Sequence, residues 1–280
     1  MSPTTLIDVQ DVSYSYRGKD GAAGRPALQG ISLQVAEGEY LAVLGHNGSG
    51  KSTLARHCNA LLTPDGGRVL VAGLDTRDQA NRSAIRDTVG MIFHNPDNQI
   101  IATVVEDDVA WSLAMRGMPE SLIRERVDWA MDAVGITDLR GLPPHKLSGG
   151  QRQRVAAAGV LALRPRCIVA DEPTALLDPL ARAEITALLH DLNRDHGLTI
   201  IHVTHLVEEA VLADRVVVME DGRIALEGPP AMVFADLEMV RRLRLSVPEP
   251  VELASRLRQS GVPVSTEALT IQAIAREIAG

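Results

Sequence analysis

The chain has 280 residues, enough for one large domain or two modest ones around a sizeable core. Hydrophobic residues make up 45% of it and charged residues 23%, which is typical of a soluble globular protein. The net charge of −8 excludes a general attraction for nucleic acid, and the longest apolar runs fall short of the roughly 20 residues of a membrane span. Two separated cysteines and an N-terminus without a basic, apolar leader predict a reduced, cytosolic protein, whose role at any membrane would be peripheral.

The first third of the chain alternates predicted strands with glycine-rich turns. Residues 6–16 alternate apolar and polar side chains, which predicts a half-buried strand. A charged, glycine-rich loop, RGKDGAAGRP, leads to a second strand, ALQGISLQV. The short apolar strand YLAVLG precedes a glycine-dense loop and a helix, KSTLARHCNALL. The segments RVLVAG and RDTVGMIF are predicted to be further strands.

The rest of the chain predicts helices between buried strands. Apolar spacing predicts a helix over residues 121–134 and another over 180–193. The segments RCIVADE, LTIIHVTH and DRVVVMEDGRIALEG are predicted to supply three further strands. Strands that alternate with helices predict an α/β fold with a mostly parallel core sheet. The composition changes after residue 228, so we predict a main domain of residues 1–228 and a small accessory domain of residues 229–280.

The most specific motif is GHNGSGKST, between an apolar strand and a helix. It satisfies G-x-x-x-x-G-K-[ST] in the strand, loop and helix context that this pattern requires. Glycines let backbone N–H groups turn inward around phosphate oxygens, and the helix start adds positive partial charge. We expect Lys51 to reach the outer phosphates and Ser52 to place its hydroxyl on Mg²⁺. The motif predicts that a nucleoside triphosphate is bound by Gly45, His46, Asn47, Gly48, Ser49, Gly50, Lys51, Ser52 and Thr53.

A second acidic motif supports this interpretation. The apolar strand CIVADE ends in Asp171 and Glu172, and such strand ends lie where α/β proteins place their ligands. Two strand-end acids are ordinary by themselves. Together with the phosphate loop, they predict that Asp171 holds Mg²⁺ and that Glu172 orients and deprotonates an attacking water.

The segment LSGGQRQR, residues 147–154, narrows the class of enzyme. Ser148 can cap a helix, and Gly149 and Gly150 allow close backbone approach to an anion. The chain already has a complete phosphate loop, so a second anion-binding helix start is redundant within one molecule. It is useful if it closes on a nucleotide that another subunit holds.

In these motifs the chain resembles the ABC (ATP-binding cassette) ATPase family, whose signature LSGGQ lies between the phosphate loop and the acidic strand end, as here. The resemblance implies a P-loop NTPase fold: a RecA-like core with a mostly parallel sheet, an antiparallel β subdomain and a helical signature subdomain at about residues 96–162. It also implies a head-to-tail dimer with two ATP molecules, and Mg²⁺, at the seam.

The resemblance also implies residue roles. Those acting on the chain's own nucleotide would be Lys51, Ser52, Asp171, Glu172 and His205, the switch histidine. Those completing the partner's site would be Ser148, Gly149, Gly150 and Gln151. Asp178 would link the two sites across the dimer seam, and Tyr16 would stack on adenine, although Tyr14 lies only two residues away and either aromatic could belong to the core. His202 and His205 have a spacing that suggests a metal pair, but on one extended strand they would point to opposite faces.

The subclass is indicated by NPDNQ followed by TVVEDDVAW, and by the C-terminal region. These resemble the ATPases of energy-coupling-factor transporters, membrane importers for vitamins and metal ions. The resemblance implies a second ATPase subunit, identical or paralogous, a transmembrane coupling subunit and a substrate-binding membrane subunit, with this chain at the cytoplasmic side of the cell membrane. Candidate contacts to the membrane partner, each of which could equally be core, are Ile100, Ile101, Val104, Val105 and Trp111.

Other functions remain open from the sequence alone. One alternative is the ATPase of a cobalt, nickel or other ABC importer. Another is a soluble ABC protein that acts on DNA or ribosomes, although such proteins resemble tandem cassettes or carry long coiled-coil insertions. A nucleotide kinase is a third, but it would have no use for LSGGQRQR.

One position departs from the family pattern. ABC ATPases usually carry a glutamine directly after the apolar strand and its aromatic, where it contacts Mg²⁺ or the attacking water, whereas here His94 follows Phe93. A neutral imidazole can accept a hydrogen bond or ligate a metal, as the amide oxygen does. We therefore expect His94 to take this role, the alternatives being Gln99 or no residue at all, and we expect hydrolysis to slow at acid pH.

Overall fold

The computed structural model describes residues 4–17, 24–265 and 268–279, so part of the predicted loop RGKDGAAGRP lies outside the described residues. An antiparallel sheet is formed by four strands: β1 (Thr5–Ser15), β2 (Pro26–Ala36), β4 (Gly66–Val71) and β5 (Leu74–Asp75). Their spatial order is β2-β1-β4-β5. The polar and apolar alternation of β1 and β2 explains why one face of each is buried.

The core sheet has six strands: β3 (Tyr40–Leu44), β6 (Val89–Ile92), β7 (Cys167–Asp171), β8 (Thr199–Val203), β9 (Arg215–Glu220) and β10 (Arg223–Gly228). Their order is β10-β9-β3-β8-β7-β6, and all pairs are parallel except β9 with β10. Strands β3, β7 and β8 are buried at every residue, as their continuous apolar sequences predict. Strand β8 lies between β3 and β7 and is parallel to both. The segments that follow these three strands therefore lie side by side at the carboxyl end of the sheet.

Eleven α-helices accompany the sheets in the described chain: α1 (Lys51–Cys58), α2 (Arg82–Thr88), α3 (Val105–Met115), α4 (Glu120–Ala133), α5 (Gly149–Leu161), α6 (Pro179–Arg194), α7 (Val207–Ala210), α8 (Pro230–Val233), α9 (Leu237–Arg242), α10 (Glu249–Gln259) and α11 (Ile271–Ala279). Helices α3, α4 and α5 pack on one another through buried apolar side chains such as Val109, Met131 and Val155. These three helices form a helical unit, which lies between β6 and β7 in the sequence. In the described residues no helix is both long and apolar enough to span a bilayer.

Two predicted strands differ from the structure. RDTVGMIF is a strand only from Val89, because its first residues form the last turn of α2, where Ile85 is buried and the Thr88 hydroxyl donates to the Ala84 carbonyl. The segment DRVVVMEDGRIALEG is a hairpin rather than one strand. It turns at Asp221 and Gly222, both at positive φ, which is the conformation that an Asp-Gly turn favours.

The C-terminal segment packs in two ways. Phe234, Val240 and Val251 are buried in the same core cluster as the central sheet. A separate small cluster contains Ala254, Val264, Ala268 and Ile274. The segment after β10 therefore begins on the main core and ends in a cluster of its own, and the domain division at residue 228 stays a prediction.

Candidate active site

The phosphate loop follows β3 and is shaped by glycines. Gly45, Gly48 and Gly50 have φ values of +152°, +83° and +107°. A Cβ atom at Gly45 would lie 2.4 Å from the Met219 carbonyl oxygen, and one at Gly50 would lie 2.5 Å from that of Ala27. Only glycine therefore permits both the backbone conformation and the close approach of the neighbouring chain.

Lys51 occupies the centre of this loop. Its ammonium group donates to the carbonyl oxygens of Gly45 at 2.8 Å and His46 at 3.2 Å, and lies 3.6 Å from Glu172 Oε1. Burial lowers the pKa of Lys51 below its ordinary value, and the Glu172 carboxylate opposes that shift. The loop thus holds a cation, shielded from water, at the place where a phosphate chain would lie.

Ser52 and Asp171 face each other across the cleft floor. The Ser52 hydroxyl donates to Asp171 Oδ1 at 2.7 Å. Burial raises the pKa of Asp171 above its ordinary value, although the hydrogen bond from Ser52 opposes the shift. A hydroxyl and a carboxylate are hard oxygen ligands of the kind Mg²⁺ takes, with water and phosphate oxygens completing its octahedron. The described residues hold no group of three or more His, Cys, Asp or Glu that could cage a metal, so the donor set fits Mg²⁺ brought in with a triphosphate.

Glu172 lies in a strained turn after β7. Its φ is +50°, a conformation that costs a non-glycine residue about 1–3 kcal/mol. The Glu172 N–H donates to the Val203 carbonyl at 2.9 Å, and Glu172 Oε2 lies 3.3 Å from His205 Nδ1. The turn directs the carboxylate into the cleft between Lys51 and His205.

The two histidines near the end of β8 have different environments. His205 lies beyond the strand, which ends at Val203, and its side chain is 41% exposed. The expectation that both histidines belong to one extended strand is therefore wrong. His202 is in the strand, fully buried, and its Nδ1 lies 3.0 Å from the Tyr40 hydroxyl. The two imidazoles do not face a common site.

Lys51, Ser52, Asp171 and Glu172 line one cleft of about 840 Å³, whereas His205 is not part of its lining in the described chain. Its lining includes Asn47, Gly48, Gly50, Lys51, Ser52, Thr53, Asp171 and Glu172. Tyr16 lies at its rim, just past the end of β1, with its hydroxyl 3.2 Å from Thr53 Oγ1. Tyr14 is instead packed edge-on against His57, with 4.9 Å between ring centroids, so Tyr16 is the aromatic that faces the cleft.

His94 and Gln99 differ in where their side chains go. His94 is exposed and lines the cleft together with Asp171 and Glu172. Gln99 bonds to its own loop: its Oε1 accepts from the Phe93 N–H at 3.2 Å, and its Nε2 donates to the Met91 carbonyl at 3.3 Å. Gln99 therefore braces the loop that presents His94 to the cleft.

The start of α5 lies outside the lining of this cleft in the described chain. Ser148 Oγ accepts from the Gln151 N–H at 3.2 Å, and the Gln151 side chain accepts from the Ser148 N–H at 2.9 Å, which completes a capping box. The N–H groups of Gly149 and Gly150 belong to the first helical turn, which has no intrahelical acceptors. These N–H groups are not part of the cleft that the phosphate loop of the same chain forms.

The predicted dimer-seam residue Asp178 is the N-cap of α6. Its carboxylate accepts from the N–H groups of Leu180 and Ala181, both at 3.0 Å. Leu176 and Leu180, on either side of it, are 64% and 72% exposed. An apolar, exposed segment of this kind is typical of a surface that another molecule covers.

Sequence reasoning missed part of the cleft rim. Arg25 and Gln29, near the start of β2, and Asp221, in the β9–β10 turn, also line it. The Gly222 N–H donates to the Ser49 carbonyl at 2.9 Å, so this turn is attached to the phosphate loop. The Asp-Gly pair was the available signal for the turn, but no pattern places it beside the loop.

Comparison with known proteins identifies the family. A family model described as ABC transporter matches residues 28–175. Over 268 residues, 95% of this chain and 93% of its relative, the chain is 56% identical to the energy-coupling factor transporter ATP-binding protein EcfA1 of Symbiobacterium thermophilum. The chain belongs to the ABC transporter ATP-binding family. The same-named protein of Caldanaerobacter subterraneus subsp. tengcongensis is 47% identical, over 95% of this chain and 96% of that protein.

Solved structures agree with this assignment. This chain superposes on cbiO1 from Clostridium perfringens with a TM-score of 0.77 and 38% identity, over 90% of this chain and 99% of that one. That protein is described as part of the ABC transporter complex cbiONQ. An ATP-binding cassette in a dimeric, post-hydrolysis state bound to ADP and Pi gives a TM-score of 0.72 and 29% identity, over 80% and 99% of the two chains. The expected P-loop ABC-ATPase fold is confirmed, and the chain is an ATPase of this family rather than a nucleotide kinase.

Proposed function

We propose that this chain binds ATP with Mg²⁺ and hydrolyses it as the energising subunit of an energy-coupling-factor importer for micronutrients, either vitamins or metal ions. The observation that supports it best is the convergence of Lys51, the Ser52–Asp171 pair and Glu172 on one cleft, with His205 3.3 Å from Glu172. The relatives named EcfA1 supply the transporter class.

ATP binding is explained by the loop and its rim. The phosphate chain accepts hydrogen bonds from the loop N–H groups and from Lys51, while adenine stacks on the exposed ring of Tyr16. Ser52 and Asp171 would hold Mg²⁺, with His94 as a third contact to the ion or to its water. When bound, Mg²⁺ neutralises charge on the phosphate oxygens and orients the terminal phosphate.

Hydrolysis follows from the position of Glu172. A water attacks the γ-phosphorus as its proton passes to the Glu172 carboxylate, and the bond from the γ-phosphorus to the β,γ-bridging oxygen breaks, which gives ADP and phosphate. Lys51 stabilises the charge on the phosphates, and His205 fixes the orientation of the carboxylate from 3.3 Å away.

A second ATPase subunit, identical or paralogous, would complete each site. The exposed start of α5 would bring Ser148, Gly149, Gly150 and Gln151 to the partner's nucleotide. The apolar side chains beside Asp178 would be covered by the same contact. Closure of the two subunits around ATP would then be the step that does work on the membrane partner.

The membrane partner would bind the helical unit of α3 to α5. Ile101 is 62% exposed, Trp111 46% and Met115 72%, whereas Val105 is fully buried and belongs to the core. We infer that the exposed side chains contact a transmembrane coupling subunit, which would place this chain peripherally on the cytoplasmic side of the cell membrane.

Two measurements test the proposal. The purified full-length chain should release phosphate from ATP in the presence of Mg²⁺ and stop when EDTA removes the metal. A tagged chain extracted from membranes with detergent should bring with it a second ABC ATPase and two integral membrane proteins. If the chain hydrolyses ATP but brings no integral membrane protein with it, the transport role is refuted and only the ATPase activity stands. Absence of Mg²⁺-dependent hydrolysis in the intact complex would refute both.

A further inference from the structure

A buried carboxylate lies behind the cleft, on the short helix α7. Glu209 is 3% exposed. Its Oε1 accepts from the Thr174 hydroxyl at 2.6 Å, its Oε2 accepts from the Thr204 hydroxyl at 2.5 Å, and Oε2 also lies 3.4 Å from His202 Nε2. All three partners are themselves buried.

Such a group is expensive to bury without compensation. Burial by itself raises the pKa of Glu209, but the imidazole and the two hydroxyls outweigh it and hold the pKa below its ordinary value. The carboxylate is therefore charged in the folded protein. The Tyr40 hydroxyl, 3.0 Å from His202 Nδ1, continues the network to β3.

The two hydroxyl partners belong to the segments that carry the chemistry. Thr174 is two residues after Glu172, in the turn where Glu172 has its positive φ. Thr204 directly precedes His205, and its hydroxyl also accepts from the Leu206 N–H at 3.0 Å. One carboxylate therefore connects the two loops that carry Glu172 and His205, whose side chains lie 3.3 Å apart.

Glu209 does not itself face the reacting groups. It is absent from the cleft lining, and the polar partners of its carboxylate in the described chain are Thr174, Thr204 and His202. Any effect on hydrolysis must therefore act through the position of Glu172 and His205. The separation between these two residues is the quantity that its hydrogen bonds fix.

We propose that Glu209 is a positioning residue for ATP hydrolysis, which holds the Glu172 turn and the His205 turn at their working separation. This inference rests on the proposed function as an ATPase. ATP binding depends on the phosphate loop and Tyr16, which the network does not touch. The proposal therefore predicts that loss of Glu209 lowers kcat and leaves the affinity for ATP unchanged.

The first test replaces Glu209 with its neutral isostere. Glu209→Gln should lower kcat for ATP by about tenfold or more, because a small misplacement of catalytic groups is enough for such a loss. The KM and the ATP affinity should stay within about twofold. The matched control is Glu208→Gln, one residue earlier on the same helix and exposed, which should leave kcat and KM unchanged. Both are measured on the full-length chain with Mg²⁺ and ATP.

A second pair of variants covers the case in which Glu209→Gln does not fold. Thr174→Val removes the hydroxyl and keeps the shape of the side chain, whereas Thr174→Ser keeps the hydroxyl. We expect Thr174→Val to lower kcat without changing KM and Thr174→Ser to restore it. Equal losses in both variants would mean that the methyl group matters and the hydrogen bond does not, which would overturn the proposal.

The outcomes separate the two levels of inference. A wild-type intact complex that does not hydrolyse ATP would count against the proposed function. Wild-type hydrolysis together with an unchanged kcat in Glu209→Gln, or a fall in ATP affinity as large as the fall in kcat, would count against the role of Glu209 alone.

Discussion

Two helices of this protein have glycine at their N-terminal ends, but they start in different ways. Helix α1 follows Gly50, at a φ of +107°, and has no side-chain cap. Helix α5 follows Ser148 and has a complete capping box. The first turn of α1 lines a cleft that also contains Asp171, whereas no residue of α5 is part of that lining in the described chain.

The difference shows that a glycine-rich helix start becomes a complete site only where other groups converge on it. At α1 the sheet edge supplies the cation and the carboxylates. At α5 the helix supplies donors only, and in the proposed dimer the nucleotide and the groups that act on it would belong to the second subunit. The two regions are nevertheless connected, because Gln153 of α5 donates to the Phe93 carbonyl at 3.1 Å and Arg152 Nε lies 2.9 Å from Asp97 Oδ1. The His94 loop is therefore held between them.

The largest expected effect belongs to the cleft of α1. Glu172→Gln removes the proposed general base and should lower kcat by about 10²–10⁴-fold. ATP binding should persist, because Lys51 and the loop are untouched. Phosphate release and equilibrium ATP binding measure the two quantities, and a variant that keeps its turnover would remove Glu172 from the mechanism.

Lys51→Ala sharpens the assignment of binding to α1. The loss of a charged hydrogen-bond donor to the phosphates should weaken ATP binding by about 10- to 100-fold. Because the loop belongs to the chain itself, the loss should be visible in titrations of the isolated chain with a fluorescent ATP analogue. Unchanged affinity would mean that the nucleotide lies elsewhere.

A negative charge introduced at the start of α5 should lower ATP hydrolysis without preventing the chain from folding. An acid at the first helical position is favoured by the helix dipole, so Gly149→Glu should fold normally. It would repel the partner's triphosphate and reduce hydrolysis about tenfold or more, equivalent to roughly 1.4 kcal/mol of repulsion. ATP binding to the isolated chain should not change. The control is Gly149→Gln, and equal hydrolysis by the two variants would argue against an anion at this helix start.

His94→Gln tests the loop between the two regions. Glutamine is the residue that the family usually carries at this position, and its amide oxygen can make the contact to Mg²⁺ or its water that we expect of the imidazole. We therefore expect His94→Gln to raise kcat by about a few-fold. Phosphate release from ATP is the measurement, and an unchanged rate would show that His94 has no part in hydrolysis.

The smallest effect concerns the stability of α5. Ser148→Ala removes the capping box and should lower the free energy of unfolding by about 1 kcal/mol. In a domain of this size that corresponds to a fall in Tm of about 2–4 °C. Calorimetry would detect it, and Gly50→Ala at the start of α1 gives the contrast, because its backbone conformation and close neighbour should make that change more damaging.

Much of the fold was predictable because it follows from local chemistry. The buried parallel strands are continuous apolar runs, and the phosphate loop is defined by glycines whose φ values no other residue adopts cheaply. The errors arose where the local signal was mixed. The RDTVGMIF segment combines a helical turn with a strand, and the hairpin at Asp221 joins two strands separated only by a short polar turn.

The sequence by itself determined the phosphate loop, the acidic pair Asp171 and Glu172, and the membership of an ATPase family. Only the tertiary structure decided which aromatic faces the cleft, which of His94 and Gln99 is available to it, and that His202 and His205 have separate environments. It also brought Glu209 to Thr174 and Thr204. The reason is that motifs depend on neighbours in the chain, whereas these contacts depend on the order of β3, β8 and β7 in the sheet, which brings distant segments to one edge.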